Sequence, residues 1–472
     1  MPIEVEDIDK GKLDLENLEL DHKTVYMTTA PVRKLVVKLA VPTMISMMVT
    51  ALYNVVDAAF IGQLSTEATA GIGISFSYMI FIQAMGFFFG HGSGNHISRS
   101  LGARKYDDAA EMAMVGVATP FLIGLAAAIL GTLYLPQLAG ILGATPDVMD
   151  SAQGYMRYIV MASPFMMSAL TLNNQHRLQG NAQFAMIGLG VGAVLNIALD
   201  PLFIFTFGWG VEGASLATAI SQLVSWGLLL AGTFKKESIH LKLSNFKPSA
   251  HYYYEIFRGG LPSLCRQGFN CVSAICLNYA AARWADPGCE SSTVAAFAVV
   301  SRAMMFAFSL VLGFSQGFQP VCGFNYGAKK YGRVRESFLF TASVCTTVLA
   351  VIAVAGFVWA PEIIKLFRDE DPVLVEIGAR ALRWQCVAFP LVGLSTVTNM
   401  LFQNIRMTFK STLLSIGRQG MFFLPSLWIL PLVFGLSGVE MTQAVADLLT
   451  FALSVPYAVW ISRKLKQDSI MQ

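Results

Sequence analysis

The sequence predicts an all-α polytopic membrane protein, with twelve transmembrane helices arranged as two parallel six-helix repeats. Three observations carry this prediction: a strongly apolar composition, basic residues concentrated in alternate loops (with Arg283, Lys365 and Arg368 as the exceptions), and one half of the chain echoing the other. The chain is 55% hydrophobic and only 13% charged, with a mean hydropathy of +0.56. Soluble domains carry about 25% charged residues. Apolar runs reach the roughly 20 residues that a membrane helix needs. They are continuous rather than alternating, which excludes a β-barrel.

The runs place spans near residues 34–61, 71–97, 108–135, 151–174, 183–207, 212–234, 256–283, 292–320, 336–360, 376–403, 409–433 and 439–462. Residues 1–30 are polar and acidic and lack the basic start and short apolar core of a signal peptide. They read as an N-terminal tail on the cytoplasmic side. The stretch 235–255 is the longest connection. It divides an N-lobe (31–234) from a C-lobe (256–465), and 466–472 form a C-terminal tail.

Arg33, Lys34 and Lys38 precede the first span, and Arg99, Arg104 and Lys105 follow the second. Lys235, Lys242, Lys329, Lys330, Arg406, Lys410, Arg463 and Lys464 continue the pattern at every second loop. The alternate loops hold Glu67, Asp147, Asp150, Glu212 and Glu440. By the positive-inside rule both termini face the cytoplasm, and the chain is expected in the plasma membrane.

The repeat is read from short matches in order. Leu101-Gly102-Ala103-Arg104-Lys105-Tyr106 parallels Tyr326-Gly327-Ala328-Lys329-Lys330-Tyr331. Met156-Arg157-Tyr158 parallels Leu382-Arg383-Trp384, each followed by Ala and Pro at matched positions (Pro164 and Pro390). Pro42 in the first span has its counterpart in Pro262 of the seventh. Six helices per unit is an even number, so the halves share one orientation about an axis along the membrane normal, a transporter architecture. Matched helix breakers point to bends around a transport path.

An ionisable side chain inside the bilayer is a functional candidate by default, since insertion costs about 2.5–3.5 kcal/mol. Asp57 in the first span and Asp200 in the fifth qualify. Tyr53, Asn54 and Asp57 fall on one helix face, as do Asn196 and Asp200. Both acids lie within about 7–12 Å of the outer boundary at 1.5 Å per residue. Pro201 frees the carbonyl of Ile197 beside Asp200. If the two helices are neighbours, two acids in one apolar site let one keep a proton near neutrality. The plainer reading is a hydrogen-bonded brace between helices. The C-terminal half carries no acid at the positions matching Asp57 and Asp200. It holds instead Arg266, Arg302 and Arg418, each readable as facing a hydrated cavity or as a structural ion pair. Arg157 and Arg383 sit at equivalent places and read as structural. Met304, Met305 and Phe306 belong to a Met- and Phe-rich set suited to flat hydrophobic ligands, or simply to packing.

Other function classes find little support. No basic run would track a phosphate backbone, which argues against nucleic acid. The seven Cys lie between Cys265 and Cys386 with no metal-ligand spacing, and the six His form no paired site. No metal, cofactor or catalytic constellation is expected, so an embedded enzyme is disfavoured. A passive channel would need neither the acid pair nor the repeat.

Several stretches together resemble the multidrug and toxic compound extrusion (MATE) family, in its MepA-like branch. They are Leu52-Tyr53-Asn54-Val55-Val56-Asp57, Gly92-Ser93-Gly94-Asn95, Asn173-Asn174-Gln175-His176-Arg177-Leu178-Gln179-Gly180-Asn181, Leu195-Asn196-Ile197-Ala198-Leu199-Asp200-Pro201, Gly313-Phe314-Ser315-Gln316-Gly317-Phe318-Gln319-Pro320, and Pro262-Ser263 with Arg266-Gln267. The resemblance spans about residues 30–465. It implies a V-shaped, monomeric antiporter that exports small hydrophobic or cationic amphiphiles against inward H+ or Na+. It places the coupling ion at Asp57, Asn196 and Asp200. The substrate cavity would involve Tyr53, Asn54, Asn173, Arg266, Gln267, Arg302 and Met305. Gln179 stands where relatives more often carry an acid. The alternative is a flippase of a lipid-linked precursor, for which a basic cavity is suited.

Overall fold

The computed structural model describes residues 15–61, 66–235, 237–367 and 371–471; within these, the side chains of 15–17, 54, 57–59, 61 and 66–70 are outside the description. The described residues are helical almost throughout. The helices are α1 (Leu15–Thr29), α2 (Val32–Ile61), α3 (Thr66–Gly102), α4 (Tyr106–Leu133), α5 (Leu135–Ile141), α6 (Met149–Leu178), α7 (Ala182–Pro201) and α8 (Gly210–Gly232). They continue as α9 (Ala250–Arg283), α10 (Glu290–Gly327), α11 (Tyr331–Val358), α12 (Ala360–Phe367), α13 (Pro372–Asn404), α14 (Thr408–Ile416), α15 (Phe423–Phe434) and α16 (Leu436–Ile470). Every expected span falls on one of these, with the fifth extended by a π-helical turn at Leu202–Thr206 and the eleventh broken by another at Gly417–Met421.

Ten of the twelve are apolar enough to cross a membrane by length and composition alone. The exceptions, α6 and α9, carry the polar residues that join the two lobes. Most of α6 is buried in protein where a lipid-facing helix would have to be apolar, and the buried residues of α9 concentrate between Tyr252 and Ser263, the part at the seam. The short α5 and α12, not foreseen, begin 225 residues apart (135 and 360), so they belong to the repeat as well.

The repeat extends to backbone detail. Arg104 (φ 58°) and Lys329 (φ 61°) take the left-handed conformation at matched helix ends. Each sits in a closing turn in which the next amide reaches back, Lys105 N to Ser100 O and Lys330 N to Asn325 O, both 2.8 Å. Gly180 (φ 88°) and Arg406 (φ 66°) form the second matched pair. Here Asn181 N donates to His176 O (2.8 Å) and Met407 N to Phe402 O (2.9 Å).

The lobes meet in their terminal halves, the halves on the side of both chain termini. Glycines allow the close approach. A Cβ on Gly102 would lie 2.1 Å from Phe324 O, and one on Gly327 2.1 Å from Arg99 O, a reciprocal pair across a pseudo-two-fold axis. Gly317 stands equally close to Ala40 (2.3 Å to its Cα), as Gly92 does to Ile256. Polar groups close the same seam. Arg99 Nη1 donates to Asn404 O (2.5 Å) and Nη2 to Glu255 (3.3 Å), which Arg406 also pairs at 2.9 Å. Arg177 donates to Gln316 O (2.9 Å) and Gln319 Oε1 (2.7 Å). Among the described residues these inter-lobe bonds reach no further than Gln83–Gln267, at the midpoints of α3 and α9. Beyond that level the lobes part, and Ser301, Arg302 and Met305 of α10 are exposed.

The expected tail is not merely solvent-exposed. Its second half, α1, crosses the terminal ends of both lobes. Asp21 pairs with Arg104 (2.9 Å) and accepts from Tyr106 on the N-lobe side. The carbonyls of Met27, Thr28 and Ala30 accept from Asn325, Lys330 and Arg333 on the other. Lys23 is buried, donating to Asn181 Oδ1 (2.5 Å) and Glu237 O (2.8 Å). Burial lowers its ammonium from 10.5 to about 7, with the Glu237 carboxylate opposing the shift. An undocked α1 returns Lys23 to water, so between pH 7 and 10.5 the undocked form binds the extra proton. Docking therefore strengthens as pH rises through that window, and its penalty is complete below 7. Hydrogen exchange, corrected for intrinsic rates, should show α1 better protected at about pH 9 than at about pH 7. Equal protection would contradict the assignment.

Candidate functional site

Asp200 is the penultimate residue of α7, two before the chain loosens into the π-helical turn Leu202–Thr206. Pro201 cannot donate to Ile197 O, so the regular ladder ends there. The chain takes up the slack with wider bonds such as Phe207 N to Leu202 O (2.9 Å). Single π turns inside helices recur at functional sites. Asp200 itself is fully buried. Asn196, one turn earlier on the same face, donates through Nδ2 to Asp200 Oδ1 (3.2 Å) and Thr218 Oγ1 of α8 (3.3 Å). Thr218 in turn donates to Ala214 O (3.1 Å).

Asn196 Oδ1 is buried with no hydrogen-bond partner among the described residues. A buried, unsatisfied acceptor beside a carboxylate is costly unless something donates to it or coordinates it. Either a proton-bearing group or a bare cation would fit. The condition left open by the sequence is met: α2 packs directly against α7. Asp57 and Asn54 lie on α2, but their side chains are outside the described residues; Tyr53 is half-buried there. Above the site, Phe60 of α2 meets Phe205 edge-on with centroids 6.3 Å apart.

The other expected residues separate into two groups. Asn173 lies away from Asp200: its Nδ2 donates to Ala185 O (2.8 Å), tying α6 to α7. Its repeat partner Asn399 donates to Ser411 O (3.1 Å) in the same way, so the bond is a brace common to both lobes. Gln179 also serves structure, accepting from Ile239 N (3.0 Å). Gln267 donates to Gln83 across the seam (3.3 Å), at the level where the lobes part.

Arg266, beside it, and Arg302 and Met305 on α10 lie on the cleft side of the C-lobe. Arg266 is two turns beyond Gly259, which abuts Gly92, and Arg302 is three turns before Gly313, which abuts Met44. Helical spacing keeps each on the face turned to the N-lobe. Arg418 is different, because Asp447 pairs with it at 2.8 Å and Phe308 lies under its guanidinium at 4.6 Å. Of the two readings of Arg418, the ion pair is the one realised. Arg157 pairs with Glu212 at 3.9 Å, and Arg383 donates to Phe357 O at 3.3 Å.

Two groups of residues escaped the sequence reading. Asp447 is an acid well inside the expected span 439–462, and the rule that selected Asp57 and Asp200 would have selected it. Glu440, assigned to a loop, is buried in α16 and held by Arg380 at 3.0 Å. The seam network of Arg177, His91, Gln319 and Glu255 had no local signature, since its members come from four helices. Among the described residues no cluster of three or more His, Cys, Asp or Glu side chains could hold a metal ion.

Comparison with known proteins bears on what such a body does. The MatE family model matches residues 42–202 and 277–425. The multidrug export protein MepA of Staphylococcus aureus (strain MRSA252) is 26% identical over 448 residues, which cover 94% of this chain and 97% of that protein. A solved structure described as the outward-facing conformation of a multidrug resistance MATE family transporter of the MOP superfamily superposes with a TM-score of 0.87. It is 26% identical, and the match covers 94% of this chain and 98% of the other. A MOP superfamily transporter from Pyrococcus furiosus, described as having a binding pocket of reverse polarity that suggests a different function, gives a TM-score of 0.86 at 26% identity. That match covers 94% and 98% of the two chains.

Proposed function

This chain belongs to the MatE family, and we propose on that premise that it is a multidrug efflux antiporter exporting amphiphilic, often cationic compounds in exchange for inward H+ or Na+. It is a transporter rather than an enzyme, held in the plasma membrane by many spans. The observation that carries the coupled mechanism is the buried Asn196–Asp200–Thr218 cluster. Its orphaned Asn196 oxygen is placed where a helix-end carboxylate can take up a proton or contribute to a sodium shell of oxygens. Asp57 would complete the site from α2.

With the termini in the cytoplasm, as the basic loops favour, the closed seam lies inward and the cleft opens outward. An ion arriving from outside then meets Asp200 first. Export follows if ion binding favours closure of the cleft and opening of the seam, because the protein exploits only differential affinity between its two states. Purified protein in proteoliposomes, with proton and sodium gradients imposed separately, should accumulate a cationic dye against its gradient under one of the two. Accumulation with neither gradient present would overturn ion coupling. The unpaired arginines of the C-lobe wall favour a flippase of a lipid-linked precursor as the second reading; transport of the phospholipid-like substrate without a dye activity would select it.

A further inference from the structure

The C-lobe wall of the cleft carries positive charge, at Arg266 and Arg302, that nothing among the described residues neutralises. Arg266 sits at mid-helix in α9, next to the last inter-lobe bond, and so forms part of the cleft floor. Among the described residues it has neither a hydrogen-bond nor an ion-pair partner. The charges within its electrostatic reach, Arg177 and Arg418, are also cations. Among the described residues Arg177, fully buried beneath it, is bound by neutral acceptors: Gln316 O, Gln319 Oε1, Asn174 Oδ1 and His91 Nε2. Arg302, twelve residues into α10, is exposed and likewise unpartnered among the described residues. Arg418 alone has a carboxylate, Asp447. An Arg kept within the membrane span without a counter-charge is costly. Its bidentate geometry matches carboxylate and phosphate. Apolar surface lies adjacent, in Met304, Met305 and Phe306.

We infer that the cleft floor is a binding site for an anionic group, carboxylate or phosphate, carried by an amphiphile whose apolar part lies along α10. Arg266 and Arg302 bind the anion from two helices, and Arg177 supplies uncompensated field from below. Opposite them, the acid site of the N-lobe stays reserved for the coupling ion, so substrate anion and coupling cation occupy separate walls. This inference rests on the transporter reading for the word substrate, and refines it: compounds bearing an acidic group are favoured over their uncharged counterparts.

The test measures binding rather than transport. In nanodiscs of phosphatidylcholine, a fluorescent carboxylate dye and its methyl ester differ only in the charge. The wild type should bind the acid about tenfold or more tightly than the ester. Arg266→Gln and Arg302→Gln should each reduce that preference, and the double variant should abolish it while ester affinity is kept. Arg302 has no partner to lose among the described residues, so its variant keeps the fold and settles the matter even if Arg266→Gln does not express. Arg266→Lys should keep most of the preference. Competition by phosphatidylglycerol in the disc would identify a lipid headgroup as an occupant, and competition by inorganic phosphate a free anion; both support the site. Equal binding of acid and ester by the wild type, or an unchanged preference in the double variant, would overturn it. Either result leaves the export reading to the gradient experiment, which does not depend on these arginines.

Discussion

Asp200→Asn is expected to abolish gradient-driven efflux while leaving membrane insertion and expression near normal. The carboxylate is fully buried and the Asn side chain has nearly its shape, so the amide can accept from Asn196 and keep α7 against α8. What is lost is the negative charge and the ability to bind and release a proton. One elementary charge moving through 100 mV supplies about 2.3 kcal/mol, enough to sustain a substrate gradient of about fifty-fold. Without coupling, the steady-state ratio of the cationic dye should collapse to the value that the fixed membrane potential alone sets, although downhill leakage continues. Asp57→Asn should do the same. If both variants sustained the wild-type ratio, the cluster would be a brace between helices. The measurement is dye accumulation in proteoliposomes at fixed membrane potential.

The next largest effect is expected at the seam. A Cβ on Gly317 would fall 2.3 Å from Ala40 Cα, and one on Gly102 2.1 Å from Phe324 O. Both obstacles are backbone or Cα atoms, which no rotamer change can remove. Gly317→Val and Gly102→Val should therefore push the lobes apart on the terminal side. Overpacking of this kind costs about 1–3 kcal/mol or more, which displaces a two-state equilibrium by about 5- to 150-fold. Spin labels at the exposed positions Lys105 and Lys329 report on that side of the molecule. Their separation should lengthen in either variant, and export should fall because the seam can no longer close. An unchanged distance distribution would show that the glycines are not what sets the closed state.

The fold was legible because bilayer physics simplifies the code. Length, hydropathy and loop charge sufficed for α2–α4 and α10–α11, and the apolar stretches within 151–174 and 256–283 marked α6 and α9 as well, although those two carry too many polar residues to pass a stricter hydropathy test. Asp200 and Asn196 were legible as polar residues one turn apart in an apolar helix, and their mutual bond follows from that spacing. The helices α5 and α12 were missed since seven or eight residues carry too little periodicity. Asn173 was drawn to the cavity by its motif, whereas its hydrogen bond to Ala185 O depends on a helix pair that no single stretch encodes. Asp447 was an oversight of the rule rather than a limit of it. The seam was illegible for a different reason: Arg177 with Gln319, and Arg99 with Asn404, are 142 and 305 residues apart. Only the closed arrangement of both lobes turns those long side chains from membrane liabilities into satisfied contacts. The reciprocal glycine contacts at Gly102 and Gly327 share that character, although the repeated Leu101–Tyr106 stretch hinted at them.

The central claim is that substrate and coupling ion move in opposite directions through one body whose ion site includes Asp200. The most direct measurement loads proteoliposomes with dye and lets it run down its gradient, with no ion gradient imposed. Lumenal pH and lumenal sodium are followed together. An antiporter must drive either protons or sodium uphill, opposite to the dye, and Asp200→Asn must stop that movement while dye still leaks. Dye running down its gradient with neither ion displaced in the wild type would contradict the account.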